Sequence, residues 1–495
     1  MVNRLSDFAN SGELKRQIAD WERRYTELLQ HIERLELRLS QAEKRAAAAE
    51  RRVQQLQEEL RGAKKDSGNS SKPPSSDIVK PPKKNTRGKR RRGGQEGHTP
   101  QQRTPFAPDQ IEAVERHAYA ACPQCGGPVE PLLEPAQVLQ QVELVTKPIL
   151  VTEHLSCTCR CHACQADFTK PIAPQVAAAG LCGPRLTTLI AYLKGACHAS
   201  YCTIQQFLRE TCGLALATGT LVKACQKVAR SLQPSYDQLR QQIPREMALN
   251  INETSHRENG AWHWTWVFRA PRFTLFHIDP TRSTQVLNQM LGSDFAGTLM
   301  ADYYSAYRSY LAAHPQADAQ FCLAHLIRDV KFLGESLAAP DRQFAGELLG
   351  ELTELFRLWH ASQDAPEDAA LRAALVSQGQ QLERVATEQA PATQLSRKVA
   401  QRFRKHGPQY LRFTQQPGLE PTNNAAEQAL RQVVIDRKVT QGTRSPRGRD
   451  WCQRIWTALA TCRQQHRDVH AFLEQSLLAL LGNTPPPSLL ASPSR

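Results

Sequence analysis

Three stretches of the chain carry residues whose types and spacing suit chemistry. The first is "MALNINETSH", where Met247, Leu249 and Ile251 alternate with Ala248, Asn250 and Asn252 before Glu253-Thr254-Ser255-His256. That alternation predicts a half-buried strand running into a polar turn. A strand end beside a cleft is a common seat for a metal-binding carboxylate, yet Asn252 is an amide. Two later acids stand in comparable places. "GTLMAD" predicts a strand ending at Asp302, and in "TNNAAEQALRQVV" Glu427 shares a helical face with Leu430 and Val434. An acid on an inward stripe is costly unless paired or metal-bound. The bland reading of Glu427 is an exposed pair with Arg431, worth a few tenths of a kcal/mol.

The second stretch holds two C-x-x-C knuckles, Cys122/Cys125 in "CPQC" and Cys161/Cys164 in "CTCRCHAC". They flank the strand-rich "VLQQVELVTKPILVTEHLSC". Four thiolates so spaced suit one structural, tetrahedral Zn²⁺. Cys157 and Cys159 compete for places in the second half, and a vestigial site or a redox pair is the alternative. The third stretch is "RGKRRRGG", which sets Lys89, Arg90, Arg91 and Arg92 in a tract rich in Ser, Pro and Gly. Such a tract buries too little apolar surface to order itself, and its charge suits phosphate contact that is blind to sequence. Arg431, Arg437 and Lys438 add positive charge after Glu427, either as phosphate clamps or as a solvated face. "CLAH" carries Cys322 and His325, half the ligands of a zinc site, and reads more simply as a strand-end pair packing near the cleft.

Net charge agrees with this. The chain has 495 residues and a formal charge of +15, with pI near 9.3. A surplus of that size points to a polyanionic partner, nucleic acid first. The N-terminus has no signal-peptide pattern, and no uninterrupted apolar run nears the roughly 18 residues of a membrane span. A cytoplasmic protein without a membrane partner is therefore expected. Its 14 cysteines then read as ligands or small core residues rather than a disulfide framework.

Positioning these groups falls to the elements between them. From Leu14 to Leu60, apolar or alanine positions recur alternately every four and three residues. This predicts a coiled coil over 1–62 and a homo-oligomer, with an intramolecular helix pair as the alternative. A basic linker follows over 63–104, then the cysteine module over 105–176 and a helical, helix-turn-helix-like unit over 177–243. From 244 to 333 three strands, joined first at Asn259-Gly260, lead into alternating helix and strand. This is the order of a ribonuclease-H-like mixed sheet, in a multidomain α/β chain. A helical insertion is expected over 334–416, the core's second part over 417–480 and a tail without order over 481–495.

Taken together, these motifs resemble the insertion-sequence-66 family of bacterial transposases. The resemblance rests on the coiled coil, "NSSKPPSSD", "GQEGH", the C-x-x-C module, "GPRLTTLIAYLKG", "ADYYSAY", "CLAH" and "TNNAAEQALRQVVIDRKVTQGT". It implies a DDE recombinase fold, a pair of Mg²⁺ ions, and cutting and joining of transposon ends and target DNA. Accessory proteins of the same element are a possible requirement of the family, and the bound state would be nucleoid-associated. Asp302 then matches the second acid and Glu427 the third. The family's first acid precedes Glu-Thr in a strand, so "INET" puts Asn252 in its place. Weakened catalysis is expected, with Glu253 or Asp279 as candidate substitutes. The other reading is an inactive, zinc-dependent DNA-binding regulator or relic.

Overall fold

The computed structural model describes residues 3–63, 105–114, 121, 123–128, 139–142, 148–160, 162 and 167–490. These belong to two units, one drawn from 1–81 and 326–349, the other from 82–325 and 350–495. In the first unit, α1 (Asn3–Ala63) is one unbroken helix. The apolar positions of its repeat, from Leu14 and Trp21 to Leu56 and Leu60, are exposed.

The second unit begins with a short hairpin, β1 (Thr158–Arg160) and β2 (Asp167–Thr169). Arg160 and Asp167 pair across it at 2.8 Å. Helices α2 (Pro174–Ala179), α3 (Pro184–Gly195), α4 (Tyr201–Cys212), α5 (Thr218–Ser231) and α6 (Gln233–Gln242) follow. Residues 174–195 are long and apolar enough on average to cross a membrane. They nevertheless form two helices broken at Gly180, which has φ 67°, and Ile190 and Ala191 of α3 lie within the protein core.

The chain then builds a mixed α/β body. In sequence come β3 (Ala248–Glu258), β4 (Ala261–Arg269), β5 (Thr274–Asp279), α7 (Thr284–Leu291), β6 (Thr298–Ala301), α8 (Ser305–Ala313), β7 (Asp318–Phe321) and α9 (Leu323–Gly334). The five strands form one sheet in the order β5-β4-β3-β6-β7. β3, β4 and β5 are antiparallel neighbours, and β6 and β7 run parallel to β3. The turn between β3 and β4 is Asn259-Gly260, with φ of 48° and 83°. Two successive positive φ values match the right-handed twist of the flanking strands, which is why Asn-Gly suits the place. β3 does not end in a turn after Asn252. "ETSH" stays in the strand because the polar residues pair in register with β4, from Glu253 opposite Trp266 to His256 opposite His263.

Between residues 334 and 416 the chain is helical: α10 (Ala339–Asp364), α11 (Ala369–Glu388), α12 (Gln394–Tyr410) and α13 (Arg412–Gln415). Three helices close the unit, α14 (Asn424–Thr440), α15 (Pro446–Gln464) and α16 (Val469–Gly482). One buried core joins α3–α6 to the sheet, α14, α15 and α16.

An edge strand leaves backbone groups unpaired, and β5 has its open edge covered by α15. Backbone N–H groups of Thr274, Phe276 and Ile278 donate to Thr461 Oγ1, Thr457 Oγ1 and Gln453 Oε1 at 3.1, 3.0 and 2.8 Å. Two residues of strand advance about 6.8 Å and four of helix about 6 Å, so the two ladders stay in step. Replacing Thr457, which is 1% exposed, with valine leaves the Phe276 N–H without its acceptor. The expected loss is about 1–3 kcal/mol in denaturant unfolding. A change below about 0.3 kcal/mol would mean that the helix holds the strand by packing alone.

Candidate active site

Asn252, Asp302 and Glu427 come from β3, the residue after β6, and the first turn of α14. The parallel register sets Asn250 opposite Met300. Asn252 and Asp302 each lie two residues beyond that pair, past the end of the ladder, Asn252 still within β3 and Asp302 just after β6. Residues two apart along a strand share a face. Asn250 Nδ2 meets Met300 Sδ at 3.6 Å, and Asn252, two residues along β3, shares the Asn250 face.

The start of α14 is fastened to the same strand. Asn423 Nδ2 donates to the Ile251 carbonyl at 2.7 Å, and Asn423 Oδ1 accepts from Asn250 Nδ2 at 2.9 Å. Asn423 occupies the helix cap, yet its side chain makes no capping hydrogen bond, because it is committed to β3. Further along, Arg437 Nη1 donates to Thr254 Oγ1 at 3.1 Å and to Ser255 Oγ at 2.8 Å. It also donates to the Ser255 carbonyl. Arg437 thus ties α14 to β3, whereas Arg431 and Lys438 are exposed.

Glu427 is half-buried beside a stripe made of Ala426, Leu430, Val433 and Asp436. Its carboxylate Oε1 lies 3.8 Å from His325 Nε2. His325 is in the first turn of α9, and Cys322 sits between β7 and that helix, so "CLAH" spans a strand-to-helix junction. Ligand atoms of Cys322, His325 and Glu427 lie within 4.8 Å of one another. Burial works to lower the basicity of His325, but the Cys322 sulfur and the carboxylates of Asp302 and Glu427 raise it above its ordinary value. Asp302 therefore belongs to the same electrostatic neighbourhood.

The two candidate substitutes for Asn252 are otherwise engaged. Glu253 points to the opposite face, where it is fully buried. It accepts from Arg282 Nε at 2.6 Å and from the Tyr307 hydroxyl. Burial pushes the Glu253 carboxyl up and the Asp302 charge adds to this, while Arg282 and Tyr307 oppose it. Arg282 also lies over the Tyr304 ring at 3.9 Å and the Trp264 ring at 4.9 Å. Asp279 is level with Trp264, which is level with Ser255. It is thus two strands across and three residues along from Asn252, with Oδ1 accepting from Thr281 N at 2.8 Å. Asn252 Oδ1 accepts from the next backbone N–H at 2.9 Å, and Asp302 Oδ1 from Tyr304 N at 2.9 Å.

Sequence reading missed Arg282 and Tyr307, which hold Glu253, and no local pattern announces them. It also left Asn250 without a role and gave Asn423 only that of a helix cap. Of the cysteine module, Cys125 is exposed in a turn followed by Gly126, which has φ 75°, and Cys157 and Cys159 are exposed thiols. Cys122, Cys161 and Cys164 lie outside the described residues, as do Lys89, Arg90, Arg91 and Arg92.

Residues 179–450 match the model of a family described as Transposase IS66 family. Residues 14–104 match a family of unknown function. The chain is also similar to a protein of Sinorhizobium fredii named "Uncharacterized protein y4hP". The two are 24% identical over 405 residues, 75% of this chain and 72% of the relative.

Proposed function

The chain belongs to the IS66 transposase family, and from that premise we propose that it binds transposon DNA ends and cuts and joins strands at a weakened DDE site formed by Asn252, Asp302 and Glu427. One observation carries this reading: β3 and β6 run parallel with Asn250 opposite Met300, so Asn252 and Asp302 follow past the same end of that ladder, and Glu427 lies in the first turn of a helix anchored to β3 by Asn423. The sheet order, with three antiparallel strands followed by two parallel ones, supports a ribonuclease-H-like core carrying the helices of 334–416 as an insertion.

Two carboxylates and one amide are a partial fit to a pair of divalent cations, normally Mg²⁺. Mg²⁺ prefers hard anionic oxygen, which Asp302 and Glu427 offer and Asn252 lacks. Bound divalent ions supply charge stabilisation for the attacking and leaving oxygens of phosphodiester cleavage. The chain's own residues fix the geometry. Tyr304 N–H orients the Asp302 carboxylate, Asn423 sets the start of the Glu427 helix, and Arg437 clamps that helix to β3. Arg431 and Lys438 are the residues of this helix free to meet phosphate, and Arg437 acts in positioning.

The remaining assignments follow the same reading. The exposed apolar seam of α1 supports pairing with a second copy, since a lone helix leaves it wet. Lys89 to Arg92 extend DNA contact along the linker, and helices of 177–243 add a helix-turn-helix-like surface. Cys122, Cys125, Cys161 and Cys164 hold one structural Zn²⁺; Cys125→Ser is expected to lower bound zinc by one ion per chain in metal analysis. Unchanged zinc would remove the module from the account. An intracellular, nucleoid-bound location and accessory proteins of the element complete the proposal.

End-cleavage assays separate this reading from a DNA-binding relic. Binding of transposon ends together with no metal-dependent nicking, even after the amide is changed to aspartate, would establish the relic.

A further inference from the structure

We propose that Cys322, His325 and Glu427 form a site for one transition-metal dication of the Zn²⁺ or Co²⁺ class, distinct in chemistry from the oxygen-only pair expected of the three-acid arrangement. Three side chains from separate elements, a strand-to-helix junction, the first turn of α9 and the first turn of α14, bring a sulfur, a nitrogen and an oxygen within 4.8 Å of one another. A tetrahedral zinc with bonds of about 2.0–2.3 Å spaces its ligands roughly 3.3–3.6 Å apart. Histidine Nε2 and Glu427 Oε1 are already at 3.8 Å, so small rotamer adjustments close the set.

The surroundings suit a metal more than a simple packing contact. Cys322 is 2% exposed, and its sulfur accepts the Asn423 backbone N–H at 3.2 Å. Asn423 is itself locked to Asn250 and Ile251, so the donor behind the sulfur is fixed, as outer partners of metal ligands usually are. The second ring nitrogen, His325 Nδ1, is buried and has no hydrogen-bond partner among the described residues.

Ligand softness decides the ion. Thiolate and imidazole select Zn²⁺ and Co²⁺ over Mg²⁺, which would leave sulfur for water. Binding releases the Cys322 thiol proton to solvent and places a thiolate, an imidazole and a carboxylate around the ion. Three protein ligands leave one tetrahedral position for water or an anionic oxygen. Glu427 is shared with the proposed catalytic arrangement, so an ion held here draws that carboxylate toward the β7–α9 junction. The site itself does not depend on the three-acid reading.

The test uses the full chain, stripped with chelator, reloaded with Co²⁺ and dialysed. Bound cobalt per chain and the cobalt–thiolate charge-transfer absorption are measured for the parent, Cys322→Ser and His325→Gln. Each variant is expected to hold one Co²⁺ fewer than the parent. Ligands elsewhere, including the cysteine knuckles, cancel in the difference. Cys322→Ser should also lose part of the thiolate band. Should that variant fail to fold, His325→Gln decides. Cobalt content equal to the parent in His325→Gln, with unchanged circular dichroism, overturns the proposal. Loss of one cobalt in His325→Gln, combined with no gain of DNA cleavage in Asn252→Asp, would keep this site and discard the catalytic reading.

Discussion

Replacing Asn252 with aspartate is expected to raise Mg²⁺-dependent cleavage of transposon-end DNA by on the order of 10²-fold or more. Loss of an outer partner of a metal ligand costs about 10–100-fold in metal affinity or activity, and restoring a ligand's own charge should do at least as much. The substitution is nearly isosteric, and Asn252 is only half-buried, so it fits without repacking. What changes is charge. Asp302 follows directly after the neighbouring strand β6, and Glu253, one residue along on the other face, already feels the Asp302 charge. A second carboxylate there repels Asp302 until a dication joins them. The variant should therefore melt lower than the parent in chelator and recover in millimolar Mg²⁺. The parent should show little response to Mg²⁺. Cleavage by the parent as fast as by the variant would mean that the amide is no handicap.

Asp302→Asn, made in the Asn252→Asp background, should then remove that cleavage by on the order of 10³-fold, the scale on which single electrostatic contributors to catalysis act. Binding to the same DNA should change little, because the basic linker and the exposed Arg431 and Lys438 lie outside the substitution. Asp302 also accepts the Tyr304 N–H at 2.9 Å. Asparagine keeps an oxygen for that bond, so α8 keeps its start and the loss is chemical rather than structural. Retained cleavage in the double variant would show that Asp302 is not part of the active site.

Much of this arrangement was legible in the sequence where local rules suffice. The apolar repeat from Leu14 to Leu60 gives one long helix, Asn259-Gly260 gives the hairpin turn, and the Ala- and Gln-rich stretch after Gly334 gives helices. Local rules failed where a distant partner decides. "ETSH" looks like a turn until β4 pairs with it residue by residue. Asn423 looks like a helix cap, but its side chain is used by Asn250 and Ile251, more than 170 positions earlier. Thr457, Thr461 and Gln453 look like ordinary helical polar residues, and only the edge of β5 reveals their spacing as a ladder. Arg437 reads equally well as a phosphate contact or a solvated charge. Its hydrogen bonds to Thr254 and Ser255 make it a strut.

The candidate site shows the same division. Asn252, Asp302 and Glu427 can each be marked as strand-end or helix-face positions from spacing. The convergence proposed for them depends on the register of β3 with β6 and on Asn423, neither of which has a local signature. The closeness of Cys322 and His325 to Glu427 is hidden for the same reason, since a long helical segment separates them in sequence.

Localised iron cleavage tests the central claim most directly. Fe²⁺ substituted for Mg²⁺ in the Asn252→Asp variant, with ascorbate and peroxide, generates hydroxyl radicals that cut the backbone beside the bound ion. The account predicts cuts clustered near residues 252, 302 and 427, suppressed by excess Mg²⁺ and absent once Asp302→Asn is added. Cuts confined to one of these stretches, or a pattern that neither Mg²⁺ nor Asp302→Asn alters, would contradict it.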